Sequence, residues 1–200
     1  MNFLTKLNSF LSRKKPNKNP VFDNSTVKVW LDDICQVQLL PKENVEDIQN
    51  LINHISGKNK KHKNGFATII ERGEFKNSLS DNKITIEYLE NLFAINKIEK
   101  VELIERELGS KLPYEKSTDK AYRCTYEFFF DLTDGYSGYI NQFWIRERLI
   151  VSAIDLNKII NFLSNFSQEH NLLLVNWNSL EIIDIQNKEI LTSYIKDNFK

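Results

Sequence analysis

Apolar residues recur along this chain with two different periods, and the switches between them outline its elements. Thr26-Val-Lys-Val-Trp-Leu31 and Ile34 to Leu40 alternate as strands do. Pro41 stops the second run. Asn44 then stands where a helix cap belongs, ahead of Val45, Ile48, Leu51, Ile52 and Ile55 at helical spacing, with Gly57 as the closing residue. Phe66 to Arg72 returns as a strand, and Thr85 is expected to cap a second helix carrying Ile86, Leu89, Leu92 and Phe93. Ile98 to Leu108 reads as a strand and Gly109 to Lys120 as a loop.

The longest alternation predicts a hairpin: Ala121 to Leu132, a turn at Thr133-Asp-Gly-Tyr-Ser-Gly138, then Tyr139 to Ser152. Period two puts Tyr122, Cys124, Tyr126, Phe128 and Phe130 on one face with Tyr139, Phe143, Ile145, Leu149 and Val151. Arg123, Thr125, Glu127, Phe129 and Asp131 fall on the other, with Gln142, Trp144, Arg146 and Arg148. Asp155 is expected to cap a helix whose stripe is Leu156, Ile159, Ile160, Leu163 and Phe166. Leu172 to Trp177 and Leu180 to Ile185 predict a second hairpin through Asn178-Ser179. Residues 188 to 198 close as a helix with Ile190, Leu191, Tyr194 and Ile195 inward. The expected fold class is α+β: a single domain over 26–200, a mostly antiparallel sheet with helices packed on one face. Residues 1–25 form a separate basic amphipathic segment and linker, in which Phe3, Leu4, Leu7, Phe10 and Leu11 share a helical stripe before a charged, proline-containing tether.

Composition narrows the function classes. A chain of 200 residues with 41% hydrophobic residues and 13 Phe fills a core, which excludes collagen-like and wholly disordered readings. Its 27 basic and 27 acidic residues cancel, but unevenly. Lys6, Arg13, Lys14, Lys15, Lys18, Lys58, Lys60, Lys61 and Lys63 lie in two basic stretches; without these nine, 18 basic face 27 acidic residues. An acidic body favours a basic partner and repels phosphates, so nucleic acid is disfavoured. Cys35 and Cys124 are far apart and read as buried thiols in a reducing, cytoplasmic compartment. Membrane contact through residues 2–13 is the lesser alternative to packing of that stripe on the domain.

Catalytic chemistry finds little support in the residues. Gly135-Tyr-Ser-Gly138 lacks the spacing of a nucleophile elbow, and neither cysteine has a histidine close in sequence. His54, His62 and His170 do not share metal-ligand spacing, and no cofactor is expected. Glu74-Phe-Lys76 has the Glu-x-Lys spacing of a nuclease core but no matching upstream acid. Catalytic, cofactor-binding and metal-binding residues are accordingly expected to be none, with an enzyme of dispersed site residues, hydrolase or nuclease in type, as the alternative.

Surface recognition is the reading left. The polar hairpin face offers Trp144 as an anchor with Phe129, Glu127, Arg146 and Arg148 around it, residue types that dominate protein interfaces; coverage of that face by another element would make Trp144 ordinary core. The run Trp30-Leu-Asp-Asp-Ile-Cys-Gln-Val-Gln-Leu-Leu-Pro-Lys-Glu-Asn44, with the overall α+β layout, resembles small bacterial immunity proteins of polymorphic toxin systems. That resemblance implies a non-enzymatic protein that neutralises a toxin by direct contact, with no catalytic residues to carry over.

Overall fold

A computed structural model of the chain describes residues 26–29, 37–59, 73–106, 109–123, 127–132, 138–146 and 153–198. Expectations placed on 1–25, Phe66 to Arg72, Cys35, Cys124, His62, Asp134-Gly135 and Arg148 lie outside these residues. The strands are β1 (Thr26–Val29), β2 (Val37–Pro41), β3 (Glu99–Lys100), β4 (Leu103–Arg106), β5 (Lys111–Pro113), β6 (Asp119–Arg123), β7 (Glu127–Leu132), β8 (Ile140–Arg146), β9 (Leu172–Asn176) and β10 (Glu181–Ile183). The α-helices are α1 (Val45–Asn59), α2 (Ile86–Ile95), α3 (Ala153–His170) and α4 (Lys188–Asn198). The fold is α+β, as the two periods predict.

Seven strands form one antiparallel sheet in the order β10-β9-β2-β8-β7-β6-β3, and β1-β4-β5 form a second, in which β1 and β4 run parallel. Alternation within each strand decides what covers each face. Val37, Leu39, Leu172 and Leu174 join Phe143, Ile145 and Tyr122 in a core cluster with Leu89 and Phe93 of α2, Ile159, Phe162, Leu163 and Phe166 of α3, and Leu191, Tyr194 and Ile195 of α4. Leu40, Leu173 and Val175, the intervening positions, pack instead with Ile48 and Ile52 of α1. Three helices therefore share one face as expected, and α1 departs to the other. Every residue of β9 is buried, as a strand covered on both faces must be.

Two local signals act as the sequence suggests. Thr85 caps α2, its Oγ1 accepting from the Tyr88 amide at 3.1 Å. The turn of the β9–β10 hairpin is held by Asn176 Oδ1, which accepts from the amides of Asn178 and Ser179. Other expectations need correction. Asn44 ends a 3-10 turn and makes no cap: its buried amide clasps Asn77, with Oδ1 accepting from the Asn77 backbone N at 3.1 Å and Nδ2 donating to Asn77 O at 2.7 Å. Gly57 lies within α1, and Asp155 lies within α3. Gly109 to Lys120 contains β5, a 3-10 turn and the start of β6, and Ile98 to Leu108 splits into β3 and β4 in different sheets.

The largest correction concerns Ala121 to Leu132. It is two strands folded on each other, with Ala121 opposite Phe129 and Arg123 opposite Glu127, and β7 then pairs with β8 as the expected hairpin partner. Every β6–β7 partner pair joins residues of like parity, so the fold-back leaves the two-residue period of the sequence intact. A β-bulge interrupts the β7–β8 ladder between Asp131 and Leu132.

Candidate functional site

The residues expected to form a recognition surface are brought to neighbouring register positions. Glu127 lies opposite Arg146, and Phe129 opposite Trp144, across β7 and β8; Arg148 is outside the described residues. The structure does not leave Trp144 on a free surface. It is 8% exposed, belongs to the main core cluster, and its Nε1 donates to Gln142 Oε1 at 3.0 Å. The second sheet meets this flank of the large one: Arg123 Nη2 donates to Thr26 O of β1 at 3.0 Å, and Val27 and Ile104 belong to the same cluster as Ala121 and Trp144. Trp144 is therefore a core residue.

Glu74 and Lys76 are exposed in irregular chain, while Phe75 between them stacks on Trp177 with ring centroids 6.3 Å apart. Among the described residues no three His, Cys, Asp or Glu side chains gather in a way that could hold a metal ion. An apolar void of about 10 Å³ between β2, β8, β9, α3 and α4, lined by Val37, Leu163 and Tyr194 among others, is water-sized and too small for an organic ligand.

One cluster does assemble titratable groups from separate parts of the chain. The Tyr114 and Tyr122 hydroxyls lie 2.5 Å apart, and each is 2.9 Å from Glu90 Oε1. Lys100 Nζ stands 3.4 Å from that oxygen and 3.8 Å from the centre of the Tyr114 ring. Lys120 Nζ donates to Tyr114 O at 2.8 Å and lies 4.4 Å from the same ring centre. Three hydroxyl contacts share two hydroxyl protons, so at any instant two of them are made. The cluster ties α2 to β3, to the 3-10 turn at Tyr114–Lys116 and to β6. Tyr122 also packs on Phe93, ring centroids 4.4 Å apart.

Protonation in this cluster follows from burial. Both tyrosines are buried and their pKa values are raised, first by loss of solvent. At Glu90 burial pushes the carboxyl up, but the two hydroxyls and the Lys100 charge outweigh it and leave it lowered. Lys120 is lowered by desolvation and then by Lys100. General acid–base catalysis needs groups tuned toward the working pH. The tyrosines and Glu90 move away from neutrality; Lys120 moves toward it, but its ammonium is engaged by a carbonyl and a ring. Chemically the arrangement is a clasp.

Sequence reasoning missed this cluster because Tyr114 and Lys120 fell in a supposed loop. A usable signal was present: Lys120 continues the apolar parity of Tyr122, Phe128 and Phe130, and a lysine in that series marks a buried amine with partners. Comparison of the chain with protein-family models, with curated proteins and with solved structures gave no match. No helix among the described residues is long and apolar enough to cross a membrane.

Proposed function

We propose that this protein is a non-enzymatic binding module acting in the cytoplasm, an immunity protein that neutralises a bacterial toxin by direct protein–protein contact. The observation that carries the reading is the separation of charge: outside two basic stretches the chain has 18 basic against 27 acidic residues. The acids are displayed where a partner could meet them. Glu43, in the 3-10 turn before α1, and Glu46 and Asp47 in its first turn are exposed beside Val45, an apolar residue 44% exposed. A negative surface attracts a basic protein, raising its rate of encounter and discriminating against acidic competitors.

The enzyme alternative has one observation in its favour, the gathering of Glu90, Tyr114, Lys120 and Tyr122 from dispersed positions. Its tyrosines and Glu90 shift away from the range in which general acid–base catalysis works, and Lys120, which shifts toward it, is held by the Tyr114 carbonyl.

The test is growth of cells expressing the toxin encoded beside this gene, with this chain or its Glu46→Lys/Asp47→Lys variant supplied together. The wild-type chain should restore growth, and the reversed variant should bind the toxin about tenfold more weakly at low salt while melting normally. No rescue by a folded wild-type chain would defeat the immunity reading. Equal binding by both chains would remove the start of α1 from the contact.

A further inference from the structure

The geometry points to a proton-driven exchange at the end of α3, in which protonation of His170 draws the Glu169 carboxylate off the Tyr88 hydroxyl. A tie between α2 and α3 would then be replaced by an ion pair within α3. His170 is the last residue of α3, its side chain only 15% exposed. Its ring lies against Phe166, centroids 4.8 Å apart, and edge-on to Tyr88 at 5.4 Å. The Nε2 atom is buried and has no hydrogen-bond partner. Glu169 supplies the carboxylate between the two outcomes: Oε2 accepts from the Tyr88 hydroxyl at 2.7 Å, and Oε1 stands 3.9 Å from His170 Nε2.

A neutral imidazole can leave Nε2 unprotonated in this apolar niche. An imidazolium cannot, because both ring nitrogens then carry protons and a buried donor without an acceptor is costly. The facing carboxylate oxygen, Oε1, is 3.9 Å from Nε2 and beyond hydrogen-bond reach, so Glu169 must move toward the ring, a displacement that pulls on the Oε2 bond to Tyr88. Among the described residues, three elements bring groups against His170. From α2 there is Tyr88, whose own pKa is raised by burial and by Glu169. From the 3-10 turn at Leu79–Asn82 comes Asn82, uncharged, whose Nδ2 donates to the backbone O of His170 at 2.7 Å. From α3 itself come Phe166 and Glu169.

Burial lowers the His170 pKa and the Glu169 charge opposes that without cancelling it; the carbonyl end of α3 also favours the cation. A lowered histidine makes the unfolded chain the better proton acceptor. Its stabilising effect is therefore present above the ordinary imidazole pKa and lost as pH falls through the folded value. Acid is what would drive the exchange.

The experiment is an NMR titration of the full chain, following the His170 ring and the Glu169 side-chain carboxyl carbon, with resonances assigned through His170→Gln. Two variants, Tyr88→Phe and Glu169→Gln, are titrated alongside. In the wild type the Glu169 carboxyl signal should move with the His170 midpoint. In Tyr88→Phe that midpoint should rise, since the hydroxyl no longer competes for the carboxylate, and in Glu169→Gln it should fall. A Glu169 signal indifferent to His170, or a midpoint unchanged in a folded Tyr88→Phe protein, would overturn the exchange.

Discussion

Trp144 shows how far a single residue can be read before its surroundings are known. Alternation placed it correctly on the face with Gln142 and Arg146, but alternation says nothing about what covers a face. The tertiary fold supplies that cover, leaving Trp144 8% exposed, and nothing in the residues near Trp144 announces it. The consequence is quantitative. Trp144→Ala should cost about 3–5 kcal/mol of stability in a urea titration, as large-to-small core changes do. A loss below about 1 kcal/mol would return the side chain to the surface, where such changes are small. Lys120 teaches the complementary lesson: its parity with Tyr122 was visible, and a charged residue in an apolar series was the trace of the Glu90–Tyr114–Tyr122 clasp. Glu90 carries no comparable mark, because one acid on an amphipathic helix is ordinary.

Among the elements, legibility follows from how local the determining interaction is. Thr85 could be recognised because its partner, the Tyr88 amide, lies three residues on. Asn44 could not, because its partner is Asn77 and the contact depends on the tertiary fold. The fold-back between β6 and β7 stayed hidden for a geometric reason: partners of like parity leave the two-residue period intact, so one long strand and a tight hairpin give the same pattern. The helix α4 offers a direct check on a stripe read too broadly. Ile190 is 46% exposed, whereas Leu191, Tyr194 and Ile195 are buried. Ile190→Ser should therefore change stability by no more than about 0.5 kcal/mol, and Leu191→Ala should cost about 2–5 kcal/mol, both by chemical denaturation. Similar losses for the two would mean that α4 is rotated about its axis relative to this account.

At the scale of the whole molecule, the two hydrophobic periods were sufficient for the α+β class, and charge arithmetic for the contrast between basic stretches and acidic body. Neither could reveal the second sheet, since β1 pairs in parallel with β4, more than seventy residues away, leaving no local trace in either strand. The central claim is that the acidic body recognises a basic protein. Its most direct test is the affinity of the intact chain for the proposed partner, a basic toxin from a neighbouring gene, measured across a salt series from low to high ionic strength. Association should weaken and slow by about tenfold or more as salt screens the surface charge. Tight binding indifferent to salt, or no binding at low salt, would contradict it.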